Sequence, residues 1–226
     1  MQISHLFVRG LAFVAIALTL SACDQKAASQ QAETQQAVAA KNEIVALSGK
    51  TMGTTYHIKY WGNNEVSITS QQAHEQIEVI LKAVNAKMST YIQDSEISRF
   101  NQNTQTNAPI EISADFALVV KEAMRLNQVT QGALDVTVGP VVNLWGFGPE
   151  KRVEKQPTQA QINERQASVG IDKLSLTEER GKFFLAKSVP QLYVDLSSIA
   201  KGFGVDQVAD YLESIHVQNY MVEIGG

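Results

Sequence analysis

The chain has 226 residues, of which 44% are hydrophobic and 19% are charged, and its formal net charge is −4 at pH 7. This length and hydrophobic content allow one sizeable core, and an acidic balance without a basic patch argues against a nucleic-acid-binding surface. The only cysteine is Cys23, so an intramolecular disulfide is excluded.

The first 22 residues have the pattern of a secretory signal peptide. Arg9 precedes the apolar stretch 11–20, which is shorter than the roughly 20 residues that span a bilayer. The small residues Ser21 and Ala22 lead into Cys23, and Leu-Ser-Ala-Cys resembles a bacterial lipobox. The pattern predicts cleavage before Cys23, lipid attachment to its thiol and membrane anchoring through acyl chains. An ordinary cleaved signal with a chance cysteine is the alternative.

Residues 23–42 are predicted to form a disordered tether after the lipidated cysteine. They are rich in Gln, Ala and Ser, and Val38 is their only large apolar residue, so they bury too little surface to offset chain entropy. Asp24 directly follows Cys23 and resembles the retention signal of inner-membrane lipoproteins. We therefore expect a protein held at the bacterial inner membrane, facing the periplasm, with a domain that stands off the membrane.

Residues 43–226 combine alternating and helical hydrophobic patterns, which predicts one α+β domain. Helices are expected where apolar residues recur at helical spacing next to suitable caps. They are predicted around Ile77 to Met88, from the cap Ser113 to before Gly132, over 159–169 with a Thr158–Gln161 capping box, and from about Lys201 to about Ile215. Strands are predicted over 43–48, 54–61, 182–187, 191–196 and 220–224.

A run rich in glycine and proline, from Gly132 to Pro149, is predicted to be a loop that belongs to a binding site. Glycine and proline fix unusual backbone angles and let a ligand approach the main chain closely. Asp135 adds a charged acceptor, and Trp145 adds a flat apolar surface. The alternative is an ordinary connection whose tryptophan lies in the core.

A second motif begins at Tyr193, where an apolar segment ends at Asp195 and a Ser-rich turn leads into a helix. Free N–H groups and the positive end of the helix dipole favour a phosphate at such a helix start. Lys201 lies in the first turn of this helix. The residue order matches neither a Walker loop nor the Gly-x-Gly-x-x-Gly dinucleotide fingerprint.

The order of these motifs along the chain resembles the ApbE family, the FAD:protein FMN transferases. Besides the two runs above, the resemblance rests on 51–54 (Thr-Met-Gly-Thr), 88–91 (Met-Ser-Thr-Tyr) and 94–101, and it extends from about Lys50 to Gly226. It implies an ApbE-like α+β fold with a flavin site in a cleft. The implied reaction is Mg²⁺-dependent: a Thr or Ser hydroxyl of a target protein attacks the FMN-side phosphorus of FAD, and AMP leaves. FAD is then a substrate.

The resemblance implies FAD contacts at the matching positions Met52, Tyr91, Ala133, Leu134, Asp135, Asp195 and Lys201. A thioether and a phenol ring would pack on the aromatic ligand, the tripeptide would hold its polar edges, and Lys201 would contact phosphate or ribose. Ser198 matches a position that gives a metal ligand, here through its main-chain carbonyl. Core packing, a solvated acid and a helix-surface lysine are the corresponding structural alternatives.

The family continues past the position of Gly226 into a segment with a His-x-x-Pro-x-Thr-Gly-type motif and the acidic and Thr ligands that complete the metal site. We therefore expect an ApbE-like domain that is incomplete at its C-terminus and of little activity alone. By family analogy, the acceptors are flavin-carrying subunits of Na⁺-pumping NADH:quinone reductase and of Rnf-type complexes. A periplasmic FAD-binding lipoprotein without catalysis is the competing interpretation.

Overall fold

The structure is a computed structural model that describes residues 43–62, 66, 68–150 and 155–225. The predicted signal peptide, Cys23 and the predicted tether lie outside these residues. Within the described ranges, no helix is both long enough and apolar enough to cross a bilayer. The fold is of the predicted α+β class.

The described residues form six strands, six α-helices and one short 3₁₀ turn. In chain order these are β1 Ile44–Thr51, β2 Thr54–Trp61, α1 Ser70–Met88, α2 Glu96–Gln102, β3 Ile110–Ile112, α3 Ala114–Val129, α4 Gly139–Leu144, α5 Gln159–Gln166, the 3₁₀ turn Ile171–Lys173, β4 Leu174–Glu179, β5 Lys182–Lys187, α6 Ala200–Ser214 and β6 Tyr220–Ile224. The bounds of β2, β5 and β6 are those predicted from the sequence, whereas α2, β3 and β4 were not predicted.

The first sheet has the strand order β1-β2-β6, and both pairs are antiparallel. β1 and β2 form a hairpin whose two turn residues, Met52 and Gly53, have positive φ angles of 49° and 74°, as tight hairpin turns require. Alternation along β2 buries every second side chain against α1 and α6. The buried side chains of β2 are Tyr56, Ile58 and Tyr60, and they pack with Ile77, Leu81, Val208 and Leu212.

The second sheet, in the order β3-β5-β4, is also antiparallel. Its core includes Leu185 of β5, Phe100 of α2 and Phe116 of α3, each no more than 1% exposed. Met52 and Leu134 are half-buried against the same cluster. Because burying each large apolar side chain contributes roughly 1.5–3 kcal/mol, this core holds the connecting segments that carry the predicted site.

Both helix caps that the sequence predicts are present. Thr158 and Gln161 form the capping box of α5, although this helix is shorter than predicted. Ser113 caps α3, since its hydroxyl accepts a hydrogen bond from the Phe116 N–H (3.3 Å). The Glu96 carboxylate supports this cap by accepting hydrogen bonds from the Ser113 N–H (2.5 Å) and the Ser113 hydroxyl (2.7 Å). The cap of α3 therefore also ties α2 to α3.

The predicted strand over 191–196 is wrong, because this segment belongs to neither sheet. A single parallel bridge, between Tyr193 and Val138, joins it to the Gly/Pro-rich run. Its backbone is satisfied instead by the side chain of Asn101, which accepts from the Val194 N–H (2.8 Å) and donates to the Val194 carbonyl (2.9 Å). One amide thus takes the place of a neighbouring strand.

The prediction that the Gly/Pro-rich run is a loop throughout is also wrong, because it contains α4. Pro140 lies in the first turn of α4, where a missing N–H costs nothing. Gly139 is required by packing, since a Cβ there would lie 2.3 Å from Cδ1 of Tyr193. Trp145 follows α4 and is 39% exposed, so it does not lie in the core.

A buried lysine on β5 also binds the extended segment. Lys187 is 2% exposed, and its ammonium group donates to the carbonyls of Asn101 (3.0 Å) and Leu192 (3.1 Å). The same group lies 5.4 Å from the centroid of the Phe100 ring. Burial removes water from the charge, and this lowers the pKa of Lys187 to about 8.

This lowered pKa predicts a pH dependence of stability. Between about pH 8 and the pKa of an unfolded lysine, the unfolded chain binds more protons than the folded chain, so the free energy of unfolding rises with pH. Between about pH 8 and about pH 9.5, we expect the free energy of unfolding of the wild type to rise by on the order of 1–2 kcal/mol more than that of Lys187→Met. Urea unfolding of both proteins at each pH measures this difference. Tyrosine titrations contribute equally to both proteins and therefore drop out of the comparison. A constant difference would contradict the prediction.

Candidate functional site

A cavity of about 640 Å³ lies between the β1–β2 turn, the end of α1, the loop that follows α1, and the first turn of α6. Its volume is typical of small-molecule and cofactor sites. A more open depression of about 550 Å³ surrounds the same hairpin turn. Met52, Tyr91 and Lys201, which the sequence predicts as FAD contacts, line the cavity together. The remaining lining residues are Gly53, Val84, Asn85, Met88, Ser89, Thr90, Ile92, Phe147, Ser197 and Ala200.

The hairpin turn places Met52 in the cavity wall. Asn85 of α1 holds this turn, because its amide donates to the Thr51 hydroxyl (2.9 Å) and to the Leu81 carbonyl (2.9 Å). From the other side α6 approaches at Gly204, where a Cβ would lie 2.8 Å from Cε of Met52. The thioether is therefore confined between two elements, in a position to offer a soft apolar surface to a ligand.

Tyr91 lies on the loop after α1 and is 66% exposed. The motif 94–101 holds this loop, since the Ser95 hydroxyl donates to the Ser89 carbonyl (2.7 Å) while also capping α2. The Tyr91 hydroxyl donates to the Phe147 carbonyl (3.0 Å). The motif is thus a support for the cavity wall, and the phenol ring beside it is free on most of its surface.

Lys201 is the one charged residue among those that line the cavity, and it lies in the first turn of α6. Within the part of the chain that the structure describes, its ammonium group makes no hydrogen bond or ion pair. The free N–H groups and the dipole of this helix add to the positive potential. Asp195 shapes the preceding turn, because its carboxylate accepts from the N–H (2.8 Å) and the hydroxyl (2.5 Å) of Ser197. This end of the cavity suits an anion.

The other four predicted FAD contacts, Ala133, Leu134, Asp135 and Asp195, are not among the residues that line the cavity. The run that contains the first three lies beside the second motif, since the Asp195 N–H donates to the Val136 carbonyl (2.7 Å). Ala133 is exposed and Leu134 is half-buried. The structure brings the two motifs together, and the contact of these four residues with FAD stays a prediction.

The carboxylate of Asp135 is engaged within the protein. It accepts hydrogen bonds from the N–H (2.8 Å) and the hydroxyl (2.6 Å) of Thr137 and from the N–H of Ile171 (3.2 Å). The first two bonds repeat the pattern that Asp195 makes with Ser197, a turn closed by an aspartate side chain. These bonds favour a positioning role for Asp135.

Ser198 lies in the turn before α6 and is exposed. The first backbone bond of the helix runs from the Phe203 N–H to the Ile199 carbonyl (3.2 Å), and no backbone donor of the described residues reaches the Ser198 carbonyl. This oxygen is therefore free to bind a cation. In the described ranges no three His, Cys, Asp or Glu side chains cluster as a metal site, and octahedral Mg²⁺ needs more oxygens than one carbonyl supplies.

The sequence reasoning missed several residues of the cavity. Phe147 lines it, whereas Trp145, the aromatic residue that the sequence suggested as a ligand surface, does not. Thr90 also lines it and belongs to the motif 88–91 without having been singled out, and Asn85 lines it without belonging to any of the motifs. Asn85 falls within the predicted helix and beside its apolar stripe, and that position was the one sequence signal that could have indicated it.

Fold and site together define an α+β protein whose cavity is lined by apolar and aromatic residues and by a single lysine. The model of the ApbE family matches residues 52–226, and the chain belongs to the ApbE family.

Named relatives agree with this assignment. The chain is 64% identical over 219 residues to a protein of Haemophilus influenzae named FAD:protein FMN transferase. The alignment covers 97% of this chain and 59% of that protein. It is 37% identical over 216 residues to the Escherichia coli K12 protein of the same name, with 96% of this chain and 59% of that protein covered. The structure of the flavin transferase ApbE from Vibrio cholerae is similar, with a TM-score of 0.76, 55% identity, and coverage of 82% of this chain and 58% of that chain. The chain thus spans well under two thirds of the length of these relatives.

Proposed function

We propose that this protein is an FAD:protein FMN transferase, which attaches FMN from FAD to a Thr or Ser of a target protein and releases AMP. The observation that carries the proposal is the cavity in which an unpaired Lys201 and the start of α6 face an apolar end with Met52 and Tyr91. A dinucleotide has the same division into charged phosphates and flat rings. The similarity to proteins named FAD:protein FMN transferase supports this choice.

In this proposal the chain's own residues bind and orient FAD. The Lys201 ammonium group and the N–H groups at the start of α6 hold the pyrophosphate and offset its negative charge, which is how proteins chiefly promote phosphoryl-type transfer. Asp195 keeps the turn before α6 in shape through its two bonds to Ser197. The acceptor hydroxyl then attacks the FMN-side phosphorus in line with the departing AMP.

Mg²⁺ is part of the proposal, with the Ser198 carbonyl as one of its ligands. A bound divalent cation would neutralise phosphate charge and orient the displacement. The described residues supply too few oxygens for this ion, so the proposal assigns its other ligands to phosphate oxygens, water and side chains outside the described part of the chain.

The proposal extends to location and partners. A lipid on Cys23 would hold the protein at the inner membrane, facing the periplasm, and residues 24–42 would give the domain reach. This rests on the lipobox-like pattern and on the residue after it. Acceptors of matching location are the flavin-carrying subunits of NADH:quinone reductase or Rnf-type complexes.

The test uses the chain extended to the full length of its named relatives, because the chain spans only part of that length. This protein is incubated with FAD, Mg²⁺ and a peptide that carries a Ser/Thr-Gly-Ala-Ser/Thr sequence. We expect mass spectrometry to show the peptide with FMN added, release of an equal amount of AMP, and loss of both when EDTA removes the metal. A peptide with both hydroxyl residues replaced by alanine is the control. Tight FAD binding without transfer or hydrolysis would contradict the transferase and support the alternative, a non-catalytic periplasmic FAD-binding lipoprotein.

A further inference from the structure

Phe147 combines a fixed backbone with an exposed side chain at the cavity. Its N–H donates to the Val142 carbonyl (3.1 Å), and its carbonyl accepts from the Tyr91 hydroxyl (3.0 Å). Both backbone polar groups are therefore satisfied, although the residue is 76% exposed. A large apolar ring held this way gains nothing from the protein core and is available to a ligand.

The neighbouring glycines show that the turn around Phe147 has a defined shape. Gly146 has a φ angle of 75°, a conformation that L side chains rarely adopt. At Gly148 a Cβ would lie 1.7 Å from Oδ1 of Asn143, a buried side chain. Neither position accepts a side chain without movement of the turn, so the turn holds the backbone of Phe147 in a defined place.

The apolar residues that line the cavity indicate where a flat ring would lie. Val84 and Met88 are buried apolar residues of α1 that line it, and Ile92 directly follows Tyr91 on the loop after α1. Its one charged lining residue, Lys201, belongs to α6 instead. Phosphates bound near α6 would direct the attached ring system toward the apolar residues.

We propose that Phe147 is a binding residue that packs, together with Tyr91, on a planar aromatic ring of the bound dinucleotide. The inference rests on the proposed function, and it adds a ligand contact and a reason for the shape of the turn. The Tyr91 hydroxyl acts as a positioning group, because it holds the backbone of Phe147 while the Tyr91 ring contacts the ligand. Isoalloxazine and adenine share the required chemistry, a flat π-surface.

The experiment measures the Kd of FAD, FMN and AMP by equilibrium dialysis without acceptor, for the chain extended to the full length of its relatives and for its variants. Phe147→Ala is expected to raise the Kd of FAD roughly 10- to 100-fold, the loss that follows from uncovering one phenyl ring. Phe147→Trp is expected to keep the Kd within about 3-fold, because a flat ring is retained. Leu118→Ala removes another exposed apolar side chain, 57% exposed on α3, and is expected to change nothing. A rise confined to FMN identifies isoalloxazine, and a rise confined to AMP identifies adenine.

A double-mutant cycle separates ligand contact from a structural effect. Tyr91→Phe keeps the ring and removes the bond to the Phe147 carbonyl, and we expect it to raise the Kd of FAD in the wild type but not in the Phe147→Ala background. Equal effects in both backgrounds would overturn the positioning role of the hydroxyl. An unchanged Kd of FAD in Phe147→Ala, with a raised KM for the acceptor peptide, would overturn the inference by assigning Phe147 to the acceptor. Absence of FAD binding by the wild type would instead overturn the proposed function.

Discussion

The Asp195→Ala variant is expected to transfer FMN roughly 100-fold more slowly than the wild type, since small displacements of reacting groups carry losses of this size. The substitution removes both hydrogen bonds that close the turn with Ser197. This turn leads into α6 and carries Ser198 and then Lys201, so the proposed phosphate contacts lose their alignment together. The measurement is the single-turnover rate of FMN addition to the acceptor peptide, followed by mass spectrometry for the chain extended to the full length of its relatives.

Two further variants distinguish the shape of this turn from the charge of Asp195. Asp195→Asn removes the charge but retains an oxygen that accepts from Ser197. If this variant transfers FMN only about 10-fold more slowly than the wild type, the rest of the loss in Asp195→Ala is assigned to the shape of the turn. Ser197→Ala removes the 2.5 Å bond from the hydroxyl and leaves the 2.8 Å bond from the N–H, and an intermediate rate is expected. Transfer by Asp195→Ala within about 3-fold of the wild type would contradict the assigned role.

The Asn101→Ala variant is expected to lower the free energy of unfolding by about 2–5 kcal/mol. The Asn101 amide is the partner of both the N–H and the carbonyl of Val194, and Val194 is 0% exposed. Each buried polar group left without a partner costs about 1–3 kcal/mol. Urea unfolding at pH 7 measures the loss, and it should be accompanied by weaker FAD binding, because Asp195 directly follows Val194.

Gln102→Ala is the matched control for this prediction. Gln102 is the next residue of α2, and its exposed side chain donates a single bond to the Gln93 carbonyl (3.0 Å). We expect this variant to lose no more than about 0.5 kcal/mol. Similar losses for the two variants would show that the amide of Asn101 has no special part in holding the extended segment.

Elements that depend on neighbouring residues could be predicted from the sequence. Alternation placed β2 and β5, and the Thr158–Gln161 and Ser113 caps marked the starts of α5 and α3, because capping bonds join residues three apart. The strand β3 escaped prediction, since its three residues are too few for a period to be visible. The strand β4 is as long as β5 but ends in Thr-Glu-Glu, so only Leu174 and Leu176 show its alternation. The segment 191–196 has the apolar pattern of a strand, yet it pairs with a side chain of α2, and no local pattern reveals that.

The candidate site was also predictable from the sequence only in part. The motifs indicated Met52, Tyr91 and Lys201, and these residues line one cavity. Met52 and Lys201 are 149 positions apart in the sequence, from 52 to 201. Phe147 was not singled out, because its importance comes from a fixed backbone and an exposed ring, and both are tertiary properties. Asp135 stood out as a charged residue in a glycine-rich run, but its bonds to Thr137 and Ile171 became visible only in the fold.

The sequence by itself determined the class of fold, the strands β2, β5 and β6, the capped helices and the family to which the motifs belong. Those features follow from hydrophobic period and from bonds between residues close in the chain, which are largely independent of the rest of the molecule. Tertiary structure alone decided that Asn101 replaces a strand, that Lys187 is buried beside it, and that Phe147 faces the cavity. Each of these depends on backbone groups brought together from distant parts of the chain, because a buried polar group must find its partner wherever the packed core places one.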